Sequence, residues 1–350
     1  MRPTIKRHSS RTVVPCQDGV RTVRLREYTD IAVDLLESLR MKLNVLPDGD
    51  HSAGLRAVLI HVEAAFKHLS RGQELADESL FTDAVYRTNQ AFEGSIKEAY
   101  RVLAGIDPAK LRPFDIENYL DKNKVFKARV LAQFKNYRTE WRNPATHDYT
   151  LLFDESEALL AIISVAGFAY LLFDEIAEKL SEKASQAKTE AEKPRFGRIT
   201  NAENDDLFTR VKGALIAFAG QQRSDPLKTE SQMVGALTGF LTTLMPQIKV
   251  ESDKPLGTDR KGRADLVIGD ADSTVIVELK RAKANRSSVE GGFSQLASYM
   301  ACINSAKGIL FYVPEEPEDM DVAEIPKSRV GGDAVLLTPK SSTSISSGRL

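Results

Sequence analysis

The sequence predicts an α + α/β chain, an all-helical bundle followed by a three-layer α/β domain with a mixed sheet. Three observations carry this. Up to about residue 180, apolar residues recur at three- and four-residue steps, and no alternating strand pattern interrupts them. Residues 181–198 are charged, small and nearly free of large apolar groups, so they read as a linker or a helix extension. Beyond them, helical runs give way to short β-rich runs bounded by turn residues.

In chain order, 1–20 is a basic tail without the apolar core of a signal peptide. Residues 21–180 form the bundle, 181–203 the linker, 204–340 the α/β domain and 341–350 a C-terminal tail. The bundle opens with a helix over 28–43. Leu55, Val58, Leu59, Val62, Phe66 and Leu69 give the next apolar stripe. Phe81, Val85, Phe92, Ile96, Ala99 and Leu103 give another, and 125–137 a fourth helix. The fifth, 155–180, is apolar nearly all round and so central. Its stretch 158–173 is interrupted by Ser164 and Gly167 and flanked by acids, so it reads as a buried helix and no membrane contact is expected. In the second domain, helices are expected over 205–218 and 228–244. Strands follow over 247–251, 264–268, 274–280, 308–313 and 334–338, with a helix over 289–303 among them. That order suits a mixed sheet covered by helices.

Composition excludes more than it assigns. Among 350 residues, 42% are hydrophobic and 28% charged, as in an ordinary globular protein, and the net charge is −1. No global basic field exists, so any nucleic-acid surface must be local. The two cysteines form no spaced pattern, which argues against a disulfide scaffold and suits a reducing cytoplasm. His61 and His68 lie seven apart on one helix face, but no acid completes a metal site with them.

The chemistry concentrates in Gly262-Arg-Ala-Asp265 and Glu278-Leu-Lys280. Alternation along 274–280 puts Val275, Val277 and Leu279 on one face, and Ile276, Glu278 and Lys280 on the other. The turn at 269–273 would pair this strand with the one before and bring Asp265 towards Glu278. Two carboxylates and a lysine are what metal-dependent phosphodiester hydrolysis needs: Mg²⁺, or Mn²⁺, takes carboxylate oxygens, waters and phosphate. Asp265 and Glu278 would be the ligands. Lys280 would orient or deprotonate the attacking water and meet developing negative charge. Glu230, on the helix before the sheet, is a possible third acid. The same pattern read plainly is a strand-end acid and two solvated charges, and the strand–turn–strand setting with helices on both sides favours the site.

Residues 228–314 resemble the PD-(D/E)xK nuclease superfamily, which includes restriction endonuclease-like and Mrr-like domains. The matching residues are Glu230, Asp265, Glu278, Lys280 and, on the following helix, Gln295 and Tyr299. Ala264 stands where the family often has proline. The resemblance implies Mg²⁺-dependent cleavage of DNA. It implies that Gln295, and Tyr299 four residues later, orient the site or contact the backbone. Arg263 and the basic run Arg281, Lys283 and Arg286 could hold phosphates.

A second motif lies in Trp141-Arg142-Asn143-Pro144-Ala145-Thr146-His147, where Pro144 should break or kink the fourth helix. Histidine can act as acid or base near neutrality, and arginine can grip two phosphate oxygens. The segment resembles the RxxxxH motif of HEPN domains, helical bundles that often act as metal-independent ribonucleases on RNA. That resemblance implies a homodimer with Arg142, Asn143 and His147 at a shared cleft. Read as a non-catalytic relative, the bundle would dimerise or sense a ligand in a nucleic-acid-binding regulatory protein. Both resemblances together suit prokaryotic antiviral defence.

Overall fold

The structure is a computed structural model that describes residues 34–147, 150–200, 205–222, 227–257, 262–281, 286–305, 307–313, 322–327 and 333–339. The two expected tails, 1–20 and 341–350, lie outside the described residues. The first half is helical and the second carries the sheet. In order come α1 (34–44 of the described chain), α2 (Ser52–Leu75), α3 (Ser79–Val102), α4 (Pro113–Lys122) and α5 (Ala128–Tyr137). After a π-turn (Arg138–Arg142) come α6 (Asn143–His147), α7 (Glu155–Glu192), α8 (Gly197–Thr200), α9 (Leu207–Gln221) and α10 (Glu230–Leu244). The sheet strands are β1 (Lys249–Leu256), β2 (Gly262–Gly269), β3 (Thr274–Lys280), β4 (Lys307–Tyr312), β5 (Val322–Lys327) and β6 (Asp333–Pro339), with α11 (Arg286–Cys302) between β3 and β4.

The chain divides into two compact units. One comprises Met1–Leu43, Ser52–Ile96 and Ala128–Tyr170; the other comprises Asn44–His51, Lys97–Lys127 and Leu171–Leu350. The division differs from the expected cut at residue 180, because short segments from the N-terminal half group with the sheet.

In the first unit the apolar stripes do what their spacing predicts: Leu55, Val58, Val62 and Leu69 on α2 and Val85 and Phe92 on α3 are buried. Phe92 stacks on Phe134 and Tyr137 at centroid distances of 5.7 and 4.8 Å and meets Phe168 at 5.5 Å. The Tyr137 hydroxyl is 2.7 Å from Thr88 Oγ1 and 2.9 Å from Asn89 Oδ1, so the buried polar end is satisfied. Ala161, Ile162, Val165, Ala166 and Ala169 of α7 are fully buried. One window of α7 is apolar and long enough to cross a membrane, yet half of it is buried within the fold, as befits a core helix.

Two expectations stated with alternatives are narrowed. Pro144 does not break the helix: α5 continues through the π-turn into α6, and the Asn143 N–H reaches back to Arg138 O. Proline has no N–H and its ring crowds the carbonyl four residues earlier, so a locally wider turn accommodates it. Of the two readings of 181–198, linker or helix extension, the described residues follow the second. Helix α7 runs to Glu192, and a 3₁₀ turn leads into α8. A Cβ on Gly235 would collide with the Glu178 carbonyl, and one on Gly239 with that of Glu182, so α10 seats backbone-close on this stretch. Gly235 and Gly239 of α10, having no side chain, are what permit this close packing.

The second unit is built on a six-stranded sheet of order β1-β2-β3-β4-β6-β5. β1, β2 and β3 pair antiparallel, β3–β4 and β4–β6 parallel, and β5 closes the far edge antiparallel to β6. Val275, Val277 and Leu279 join Phe218 of α9 and Phe240 of α10 in one core. Ile276 and Leu310 join Val289, Phe293 and Leu296 of α11 in another, so both sheet faces are covered. Each edge strand carries lysine and proline: Lys249, Lys254 and Pro255 in β1, Pro326 and Lys327 in β5. Sequence reading missed α4 and β5 and placed β1 five residues short of its end at Leu256.

Candidate functional site

Register builds the site. The β2–β3 ladder holds as far as Leu266↔Val277, which puts Asp265 opposite Glu278 at its next step. There the ladder changes hands. Asp265 Oδ2 accepts the Leu279 N–H at 2.7 Å, so a side chain takes the place of a strand carbonyl. On the other side of β2, the pairs Ser252↔Leu266 and Lys254↔Ala264 place Asp253 opposite Asp265. Asp253 adopts a left-handed backbone, φ +49°, which an aspartate tolerates better than most residues. Its carboxylate binds Arg263 through both oxygens. A third negative charge in the row is thereby neutralised, and Arg263 is engaged inside the fold rather than held out towards a phosphate.

Glu278 is 2% exposed. Its Oε1 accepts from Lys280 Nζ at 2.8 Å, whereas Oε2 is buried and has no hydrogen-bond partner. Lys280 Nζ also donates to Gln295 Oε1 at 3.2 Å, and Gln295 Nε2 donates to the Tyr299 hydroxyl at 2.8 Å. The alternation in β3 and the i,i+4 spacing in α11 thus bring Glu278, Lys280, Gln295 and Tyr299 into one chain of hydrogen bonds, with Asp265 beside it. Tyr312 of β4, in register with Lys280, donates to Ser288 Oγ at 2.9 Å and completes the wall. Reading residues singly missed Tyr312; its signal is the parallel β3–β4 register, which sequence does not supply.

Electrostatics follow from burial. Desolvation and the charge of Glu278 push the Asp265 carboxyl up to about 7, with Glu230 adding to the rise. Burial likewise raises Glu278, against the opposing hydrogen bond from Lys280. For Lys280, burial favours the neutral amine, but its hydrogen bond to Glu278 and the charges of Glu278 and Asp265 outweigh it, and its pKa is raised. Lys280 is therefore an ammonium. Glu230 opens α10 as the first residue after the Thr229 cap, whose side chain and that of Gln232 form a reciprocal capping box. Its carboxylate acts on both buried acids through space.

The other expected residues are placed differently. Arg281 donates to the carbonyls of Lys228 and Leu227, so it ties the end of β3 to the approach of α10. Lys283 lies outside the described residues, as does the side chain of Arg286, whose backbone starts α11. In the first unit Arg142 ends the π-turn and donates to Asn143 Oδ1 at 3.3 Å. The side chain of His147 lies outside the described residues.

A divalent cation fits these donors. Among the described residues no three His, Cys, Asp or Glu side chains form a ready-made cage. Mg²⁺ does not require one, since it is commonly held by one or two carboxylates plus waters and substrate phosphate. The buried Glu278 Oε2 has no partner, and the Glu278 charge acts against that of Asp265, an unfavourable arrangement that a cation would relieve.

No family model, curated protein or solved structure matches the chain. The geometry of these residues is accordingly what a functional reading rests on.

Proposed function

We propose that the second unit is a Mg²⁺-dependent nuclease that hydrolyses phosphodiester bonds in DNA, a member of the PD-(D/E)xK type with a restriction endonuclease-like fold. The observation that carries it is the buried Asp265–Glu278 pair with one orphaned oxygen, next to an ammonium held by Glu278 and Gln295. Asp265 and Glu278 would hold Mg²⁺, with Mn²⁺ an alternative. When bound, the ion supplies Lewis acidity to a phosphate oxygen and lowers the pKa of a water. In the hydrolysis, a water oxygen bonds to phosphorus, the bond from phosphorus to the leaving sugar oxygen breaks, and that oxygen takes up a proton. Lys280, kept charged by its neighbours, stabilises the negative charge that builds on the phosphoryl oxygens rather than removing a proton. Gln295 fixes the ammonium's direction, and Tyr299 fixes Gln295. The Leu279 N–H holds Asp265 in line with Glu278.

The test is cleavage of DNA and of RNA by the full chain, each with Mg²⁺ and with EDTA. DNA cleavage should require the metal and vanish in Asp265→Ala. Unchanged cleavage by Lys280→Ala would sink the site assignment.

For the first unit, the π-turn that ends at Arg142 favours a second reading, because such turns often mark functional positions. We propose Arg142, Asn143 and His147 as a metal-independent ribonuclease site on a homodimer, in a protein of cytoplasmic antiviral defence. RNA cleavage that survives EDTA and is lost in His147→Ala supports this. Absence of any cleavage leaves instead a regulatory protein that binds nucleic acid without cutting it.

A further inference from the structure

The second unit holds a pocket, apart from the acidic site, with a volume of about 370 Å³. Sites for small organic ligands commonly occupy about 300–1,000 Å³. Its walls are the 44–47 segment, the C-terminal half of α7, and the approach and first turns of α10. Two features mark it as more than a packing gap.

It is amphipathic in a directed way. Leu46, Pro47, Leu180 and Leu227 offer apolar surface, Lys188 and Lys228 are the charged residues of an otherwise neutral lining, and no carboxylate lines it among the described residues; Lys188 Nζ donates to the Gln221 carbonyl at 3.1 Å and keeps its other N–H donors. In a chain of net charge −1, such a one-signed lining selects for anions. Second, the pocket is braced. Gln232 donates to the Val45 carbonyl at 2.8 Å while its own oxygen accepts from the Lys228 and Thr229 N–H groups, so opposite walls are held at fixed separation.

We infer that this pocket binds a small organic anion: an apolar body against Leu46 and Pro47, with a carboxylate or phosphate monoester met by Lys188 and Lys228. The inference stands whether or not the acidic site cuts DNA. The two places share one segment, since Arg281 at the end of β3 grips the carbonyls of Leu227 and Lys228, residues that also line the pocket. A ligand there would stiffen the stretch that leads into Glu230.

The experiment is calorimetric titration of the full chain, without divalent metal, using adenosine 5′-monophosphate, phenylacetate and uncharged adenosine. At least one of the two anions should bind, and adenosine should bind on the order of tenfold more weakly than the monophosphate. Lys228→Glu, at an exposed position, should weaken the anion on the order of tenfold without altering the fold seen by circular dichroism. Asp265→Asn should leave binding unchanged. No heat from either anion at millimolar concentration, adenosine binding as well as the monophosphate, or full affinity in Lys228→Glu would each overturn the inference. So would loss of binding in Asp265→Asn, which would place the anion at the acidic site instead.

Discussion

At the scale of single residues, the acidic site and a second buried acid obey the same rule with different consequences. Glu175 is 8% exposed and accepts the Lys127 N–H at 2.8 Å. Burial pushes its carboxyl up to about 8, and the charges of Glu178 and Asp253 add to what Lys127 opposes. A folded pKa above the unfolded value means that the protonated acid is favoured in the fold. Its stabilisation is complete below the ordinary carboxylate range and is lost as pH rises towards 8. Wild-type stability should therefore fall by up to ~1.4 kcal/mol per pH unit from this group across that window. Glu175→Gln, which keeps an acceptor for Lys127, should match the wild type near pH 4 and exceed it at pH 9; thermal unfolding at both pH values measures this. At the acidic site, Lys280→Ala should cut kcat for DNA by about 100-fold or more, as loss of a charge-stabilising donor does elsewhere. Lys280→Arg should not restore it, because a planar fork cannot reproduce a point charge between Glu278 and Gln295. Sequence made Asp265, Glu278, Lys280 and Gln295 legible, since strand alternation and helical spacing are local rules. It could not show that Arg263 is taken by Asp253 or Arg281 by two carbonyls, because those partners are set by register and by a left-handed backbone turn.

At the scale of elements, the α10 N-terminus carries the most consequence for its size. Thr229 and Gln232 cap it reciprocally, and Glu230 is its first residue. Thr229→Ala should cost about 1 kcal/mol, read as a shifted urea midpoint. It should also weaken Mg²⁺ binding modestly by loosening Glu230. Where α10 crosses α7, Gly235→Val would drive a side chain into the Glu178 carbonyl and should destabilise the chain by about 3 kcal/mol. The same denaturation measurement decides it. The α7 extension to Glu192 shows why composition alone left linker and helix extension both open for 181–198. Periodicity arguments need large apolar residues to mark a buried face, and a helix packed backbone-to-backbone shows none. β3 was placed residue for residue because turn residues bound it on one side and charges on the other. β5 escaped because Pro326 in a short run argues against a strand unless it lies at an edge, which is where it lies.

At the scale of the whole molecule, the two proposed chemistries belong to different units, and a single metal-dependence experiment separates them. Mg²⁺ should raise the unfolding temperature of the wild type, because an ion that binds only the folded state stabilises it by mass action. Asp265→Asn should abolish that rise while leaving any EDTA-resistant RNA cleavage intact. Persistence of the rise in Asp265→Asn would place the ion elsewhere. The layout of a helical half and a mixed sheet was readable from the change in period along the chain. The partition was not, because segments 44–51 and 97–127 join the sheet-bearing unit through contacts far apart in sequence.

The two sheet borders have a consequence for how copies of the chain meet. An open border of unpaired backbone groups invites another strand to dock and polymerise. Lysine and proline in β1 and β5, with Asp253 twisting β1 out of regular geometry, make both borders poor templates. A stable homodimer, if the chain forms one, is thereby steered away from a continuous intermolecular sheet and towards association through helices.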